Sequence, residues 1–499
     1  MVQPELRDSK WRVGRFQSGV RVQLFSIPFQ DGEEGPRHGV SRSIMRPLIS
    51  ASTSRRSFLQ TSAGAAFGFQ FVPAHVARAQ SGSLSPAEKL RIAVIGCGGR
   101  GAVNLKGVSG EDIVALCDVD ERRAAKSFDE HPKARRFKDF RRMFDAMSNE
   151  IDAVVVATPD HTHEVACLAA IGHGKHVYCE KPLAHTVKEV RRLRKAALES
   201  KVITQVGNQG HSSHTIRIFT EMVQAGAIGN ITEIHAGCDV FPEIYCRVGQ
   251  PPSPPEEVPK ELDWDLWLGA LKSHAYEPAA VPRNWRGFTA YGNGCIADWV
   301  CHIVDPSYWA LDLGAPSAII AEVSGYDPVK DAAFYPRGCR ITFEFSGKEG
   351  RGPVKLVWHD GDIPIPTPPE LEAENRKVVG TGAVVIGDKG KIMHGSHGAA
   401  SVRIIPESKM QAFTMPPETL PRVEKGDHHQ DWLDAIRANR PAGSPFEYGG
   451  ALSEIGLLGM IAIRHAGQRL EWDHETVAFK NAPSANELLD KEYRPGWGV

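Results

Sequence analysis

The stretch Leu90-Arg91-Ile92-Ala93-Val94-Ile95-Gly96-Cys97-Gly98-Gly99-Arg100-Gly101 decides the fold. Its first half is a short β-rich run, and its second half reads G-x-G-x-x-G. The glycine pattern alone is weak. Here a strand precedes it and a helical stretch follows, which is the context the motif needs. A second apolar run at 113–117 ends in Asp118, 17 residues after the last glycine, close to the ~20 expected of a dinucleotide fingerprint. The chemistry is coherent. Gly96 allows the tight turn, Gly98 lets backbone approach a pyrophosphate, and Gly101 lets helix pack on strand. The helix N-terminus at Gly99 and Arg100 offers N–H groups to phosphate oxygens. Asp118 is placed to accept both ribose hydroxyls. Its charge opposes a 2′-phosphate, which favours NAD over NADP, although Arg122 and Arg123 stand close enough to soften that.

Outward from this unit, residues 153–157 form an apolar run of the buried parallel type. It ends in Thr158-Pro159-Asp160-His161-Thr162-His163. A helix at 164–171 and a strand at 176–179 follow, then Glu180-Lys181-Pro182-Leu183. A helix at 187–200 and a strand at 202–206 complete a doubly wound parallel sheet over 90–212. In such sheets ligands sit at the carboxyl ends of the strands. The glycine turn, the cluster 158–163 and the pair Glu180–Lys181 all lie at such ends.

The second half predicts an α+β domain over 213–475. Strands are expected at 231–240, 318–324, 340–346 and 354–358, with a hairpin at 380–392. Residues 251–259 and 363–369 are proline-rich loops, and 263–269 is an aromatic turn or short helix. Late helices are expected at 430–438 and 451–466, and 476–499 reads as a tail. A helix is expected at 295–311, stopped by Gly314 and Pro316. On it Asp298 and His302 are one helical turn apart and share a face. A carboxylate there can orient an imidazole or share a substrate hydroxyl with it. Asp305 falls on the same face. His211 and His214 follow Gln209. Trp285 and Arg286 suit stacking on a sugar or cofactor ring. His428-His429 reads as a solvated pair opening a helix. His161-x-His163 lacks a third ligand of suitable spacing, so no metal is expected.

G-x-G-x-x-G, the strand-end Asp, T-P-x-x-x-H and E-K-P in this order resemble the Gfo/Idh/MocA oxidoreductases, which include glucose–fructose oxidoreductase and inositol dehydrogenase. The resemblance covers roughly 90–475. It implies a Rossmann domain followed by an open, mostly antiparallel sheet that carries substrate and often mediates oligomerisation. It also implies a cofactor site at Thr158, Pro159, His163, Glu180 and Lys181, and a substrate or nicotinamide contact at Gln209. The family's D-x-x-x-H matches Asp298 and His302, with Trp299 and Val300 where Met and Gly are common. The implied activity is hydride transfer between NAD and a hydroxyl-bearing carbon of a sugar or cyclitol. His302 is the expected acid–base with Asp298 as its orienting partner, and Lys181 is a hydrogen-bond donor or alternative base. Relatives also include NAD-dependent, redox-neutral glycoside hydrolases. A non-catalytic sugar-binding protein is the third class.

Of the 499 residues, 41% are hydrophobic and 24% charged, with 59 Lys+Arg against 60 Asp+Glu. That composition excludes a disordered chain, a fibrous repeat and a multi-span membrane protein, and no basic excess argues for nucleic acid. The first 79 residues carry 11 Lys+Arg against 5 Asp+Glu, so the leader is basic and the rest mildly acidic. Within it Ser54-Arg55-Arg56-Ser57-Phe58-Leu59 precedes a weakly apolar stretch ending in Ala77-Arg78-Ala79. This resembles a twin-arginine export signal, followed by a linker at 80–89. It predicts a periplasmic mature protein without a membrane span, or a cytoplasmic one if the leader is not used. Because that route carries folded proteins with cofactor in place, it also predicts a tightly held dinucleotide. The nine cysteines lack C-x-x-C spacing. Cys238/Cys246 and Cys295/Cys301 are conceivable pairs, but most are expected as small buried hydrophobes.

Overall fold

The computed structural model describes residues 88–240, 242–250 and 253–498, all within one compact unit. The leader, its arginine pair and most of the linker lie outside the described residues.

Six parallel strands form the first sheet in the order β3-β2-β1-β4-β5-β6: β1 (Arg91–Ile95), β2 (Asp112–Cys117), β3 (Arg135–Phe137), β4 (Ala153–Val156), β5 (His176–Cys179) and β6 (Thr204–Val206). The order reverses between β1 and β4, so a crevice opens beyond their carboxyl ends. β4 is buried at every position because helices cover both faces. Alternation sorts β1 between two cores: Ile92 and Val94 join one, Ala93 and Ile95 the other. The helices start where side chains satisfy free N–H groups. Asp120 caps Glu121–Glu130, Asp139 caps Phe140–Met147, and Thr186 with Glu189 forms a capping box on Val187–Ser200. One of the two cores is completed by a segment far along the chain. Trp432, Leu433 and Ile436 of the helix His428–Ala438 pack with Leu90, Ile92 and Val94.

The second sheet has nine strands in the order β13-β12-β11-β7-β10-β9-β8-β14-β15. They are β7 (Ile231–Cys238), β8 (Ala318–Ser324), β9 (Gly338–Phe345), β10 (Val354–Gly361), β11 (Gly382–Gly387), β12 (Gly390–Gly395), β13 (Arg403–Ile405), β14 (Leu470–Asp473) and β15 (Ala478–Phe479). Only β7 and β10 pair in parallel. The segment expected as a tail therefore supplies an edge strand. The apolar helix Phe446–Arg464 is long enough to cross a membrane by length and composition, yet 83% of its apolar window is buried in the protein. It joins the two halves. A Cβ at its Gly449 would lie 2.5 Å from Val206 of the first sheet, and one at Gly456 would lie 2.7 Å from Ala297.

The helix expected over 295–311 is two helices, Gly294–Ile303 and Asp305–Ala310, broken at Val304 with Pro306 in the first turn of the second. All nine cysteines are free thiols, seven of them buried, so neither conceivable pair is bridged.

Candidate active site

A cavity of about 540 Å³ runs along the carboxyl ends of β1, β2, β4 and β5 and under the helix Gly294–Ile303. Gly96, Gly98, Gly99, Arg100, Asp118, Thr158, Pro159, His163, Glu180, Lys181, Gln209, Trp285, Arg286, Asp298 and His302 all line it. Of the expected site residues Gly101 alone does not, because it packs inward. A Cβ there would stand 1.7 Å from the Gly96 carbonyl oxygen. Gly96 itself has φ +78°, which side chains rarely adopt.

The glycine-loop end fits a dinucleotide. The helix Arg100–Gly107 has no side-chain cap and no acidic residue in its first turn; its Gly101 amide turns to the Gly98 carbonyl at 2.9 Å, and its positive end is otherwise open to phosphate oxygens. Asp118 Oδ2 accepts from the Cys97 and Gly98 amides at 2.9 and 3.0 Å, and Oδ1 accepts from the Asp120 amide at 3.0 Å. Its carboxylate thus braces the loop while facing the cleft. Arg123 also faces the cleft, whereas Arg122 is turned to Asp120 at 3.0 Å.

Strand-end loops are tied to one another. The ring nitrogens of His163 lie 2.9 Å from the Pro182 carbonyl and 2.8 Å from that of Thr158, which fixes the E-K-P turn against the T-P turn. His161 makes equivalent contacts to the Tyr291 and Trp267 carbonyls. Burial pushes its pKa down to about 3. No group of His, Cys, Asp or Glu among the described residues is arranged to hold a metal ion. Glu180 Oε1 accepts from Arg100, Asn104 and Gln209 at 3.1, 3.0 and 3.0 Å. Burial alone would raise its pKa. Arg100, Lys181 and Asn104 outweigh that and hold the carboxyl below its ordinary value.

At the far end the charges converge on Asp298. Lys181 Nζ pairs with its Oδ1 and donates to its backbone carbonyl at 3.0 Å. Tyr245 donates its hydroxyl to Oδ2, and Arg286 Nε lies 3.2 Å from the same oxygen. Burial opposes the charge, but Lys181 and Arg286 hold Asp298 well below the usual carboxylate range. Lys181 keeps one of its three donors for another group.

Asp298 does not orient His302, as the shared helix face suggested. Two cations and a phenol draw its carboxylate away. His302 stacks instead on His397, with ring centroids 4.2 Å apart and 15° between planes, and its Nδ1 is buried without a partner. Burial, then Lys181 and His397, push its pKa well down, so the imidazole is neutral.

Trp285 lies under the Arg286 guanidinium at 4.1 Å, so the two form one wall rather than two free stacking surfaces. Asp305 does not line the cavity. It takes His211 at 3.0 Å, Asn208 at 3.2 Å and Tyr448 at 2.5 Å in a buried cluster. His214 bonds the Val423 carbonyl. His428 and His429 are buried, not solvated. His428 donates to the Val206 carbonyl and accepts from Ser212, while His429 stacks on Tyr178 and donates to Asn104.

Sequence reasoning missed Tyr245, Asp160 and His397, all of which line the cavity. Asp160 lay inside the quoted T-P turn. Its Oδ2 accepts from Asn293 at 3.2 Å, and burial lifts its pKa to about 7. His397 stands in the turn Gly395-Ser396-His397-Gly398 with φ +55°.

Residues 90–208 match the oxidoreductase family described by its NAD-binding Rossmann fold, and 213–349 match the same family's C-terminal alpha/beta domain. An inositol 2-dehydrogenase of Burkholderia cenocepacia is 32% identical over 249 residues, 48% of this chain and 69% of that protein. The chain belongs to the Gfo/Idh/MocA oxidoreductase family. Inositol 2-dehydrogenase 2 of Saccharopolyspora erythraea is 35% identical over 175 residues, 34% of this chain, and the chain spans about half (49%) of that relative's length. Two solved structures share the fold. The inositol dehydrogenase homolog of Azotobacter vinelandii, complexed with NADH and myo-inositol, has a TM-score of 0.52 at 16% identity, covering 78% of this chain and all of that one. The WlbA dehydrogenase of Bordetella pertussis, in complex with NADH and UDP-GlcNAcA, has a TM-score of 0.53 at 17% identity, covering 77% and 99%. NAD binding by the first domain follows from the family.

Proposed function

We propose that the protein oxidises or reduces a hydroxyl-bearing carbon of a sugar or cyclitol. The observation that carries this reading is the Lys181–Asp298 pair, set beside neutral His302 at the β5 end of the NAD cleft. Bound NAD supplies the hydride acceptor or donor. The chain's residues handle the proton. Lys181 holds its remaining donor for the substrate oxygen, and Asp298 fixes that ammonium from two oxygens, its carboxylate and its carbonyl. Arg286 and Tyr245 hold Asp298 charged in turn, and His302 offers an uncharged imidazole as acceptor. The Trp285–Arg286 wall presents a flat cationic face to a polyol. Export as a periplasmic homo-oligomer belongs to the same proposal, resting on the basic leader and on the open second sheet.

A panel of sugars, cyclitols and aryl glycosides tests the reading. An absorbance change at the reduced-nicotinamide band with a polyol supports it. Aglycone release without net reduced cofactor makes the protein a redox-neutral hydrolase. Binding without either makes it a sugar-binding protein.

A further inference from the structure

The Asp118 side of the cleft, opposite the charged end, is closed by the chain's last described turn. β3 pairs with β2, and the Asp118 amide donates to the Phe137 carbonyl at 3.0 Å, so Phe140 lies beside Asp118. With a pyrophosphate on the glycine loop, this side of the crevice is the adenine side, and the β5 side with Lys181 is the nicotinamide side. Residues 261–263 cross over it. The Asp263 amide donates to the Val119 carbonyl at 2.9 Å, and the Glu121 amide to the Glu261 carbonyl at 3.1 Å. Leu266 and Trp267 follow, and with Phe140 and Trp497 they line the cavity.

Trp497 comes from the chain's last described turn. It is 8% exposed and packs with Val165 and Ala270. The Arg141 guanidinium covers its ring at 3.9 Å, and Phe140 meets it edge-on at 6.1 Å. The segment is anchored on both halves. Arg494 pairs with Asp265 and donates to the Gly269 carbonyl at 2.7 Å, while its amide donates to the Ala270 carbonyl at 2.9 Å. On the Rossmann side, Arg141 donates to the Gly496 carbonyl at 3.2 Å, and Lys491 donates to the His161 carbonyl at 3.0 Å and pairs with Glu189 at 2.8 Å.

We propose that residues 490–498 are part of the dinucleotide site. Trp497 walls its adenine end, and the anchors around it hold segment 261–270 closed over the cofactor. Adenine-side contacts then have to open before the dinucleotide leaves. The proposal rests on NAD binding and not on the proposed substrate.

Calorimetric titration of the full chain, stripped of nucleotide, with NAD, ADP-ribose and nicotinamide mononucleotide tests it. Trp497→Ala should weaken NAD and ADP-ribose by about tenfold or more, as loss of an aromatic contact to a base does. It should leave the mononucleotide unchanged, and Trp497→Phe should restore most of the loss. Arg494→Ala, outside the cavity, should speed NAD release in a displacement experiment. A folded Trp497→Ala protein with wild-type affinity for ADP-ribose overturns the proposal, as does equal weakening of all three ligands. Where Trp497→Ala does not fold, wild-type release from Arg494→Ala overturns it. Failure of the wild-type chain to bind NAD or ADP-ribose would break the cofactor reading instead.

Discussion

At the glycine-loop end of the cleft the holding groups are backbone amides, a helix terminus and one carboxylate. The residues in contact are about twenty positions apart, as Asp118 is from Gly98. At the other end the holding groups are buried charges, and Lys181 meets Asp298 across 117 positions. The phosphate-facing part of the first end is built from one βαβ unit, and Leu266, Trp267 and Trp497 add its outer wall. The second exists only when a strand-end turn of one sheet meets a helix packed on the other. Phosphate binding is therefore local in sequence, and the charged pair belongs to the assembled domains. Substitutions at the two ends should consequently fail in different ways.

The largest expected effect is at the charged end. Lys181→Ala leaves Asp298 with Arg286 and Tyr245 but removes the donor that the proposed function aims at the substrate oxygen. Turnover should fall by roughly 10²–10⁴-fold while NAD affinity, measured by titration, stays within a few-fold. His302→Ala should cost less than Lys181→Ala, because His302 is neutral and makes no bond to Asp298. The reverse ranking would make the imidazole the acid–base and the lysine its accessory. At the glycine end the failure should be of binding and stability together. Gly101→Ala forces a methyl into the Gly96 carbonyl. Overpacking of this kind costs typically 1–3 kcal/mol, so a lower Tm and weak NAD binding are expected.

The same division explains what the sequence revealed. β1, β4 and the helix Val187–Ser200 announce themselves by runs of apolar residues and by caps, because each is decided within its own window. Every expected cofactor residue other than Gly101 faces the cleft for that reason. The short β3, with two arginines in its three residues, carries no such signal. The break at Val304 was hidden because Pro306 sits where a helix tolerates it, in a first turn. Spacing placed Asp298 and His302 together correctly, but it could not show that Lys181, Arg286 and Tyr245 would take the carboxylate. The burial of His428 and His429 follows from a late helix completing an early core, which no local pattern encodes. Tyr245 reaches the site from the end of the short helix Pro242–Tyr245 and His397 from a left-handed turn with Gly398, where only that glycine left a trace.

A smaller effect should separate cofactors. Asp118 faces the place a 2′-phosphate would occupy, and like-charge juxtaposition costs several kcal/mol. Asp118→Ser removes the charge but also two braces on the glycine loop. NAD affinity should fall modestly, and the preference for NAD over NADP should narrow by about one to two orders of magnitude. Unchanged preference would assign discrimination to another group, with Arg123 the first to examine.

The smallest effect belongs to Asp160, which belongs to the first domain by sequence and to the charged end by position. Burial lifts its pKa to about 7 from the ordinary 3.8, against the pull of Arg286 and Lys181. Between those two values the folded protein binds a proton at this site that the unfolded chain does not. Stability then falls as pH rises through that window and levels off above it. Asp160→Asn keeps a side-chain oxygen for the Asn293 amide and removes the titration. Thermal unfolding from pH 5 to 8 should therefore show a decline in wild type that is shallower by a few degrees in the variant. The sign matters, because a carboxylate held charged by Lys181 and Arg286, as Asp298 is, gives the opposite slope, and only in acid below the ordinary carboxylate pKa. An equal decline in Asp160→Asn and wild type across pH 5 to 8 would place Asp160 among the groups already ionised there. The charged end would then hold two carboxylates against two cations, instead of one carboxylate between Lys181 and Arg286.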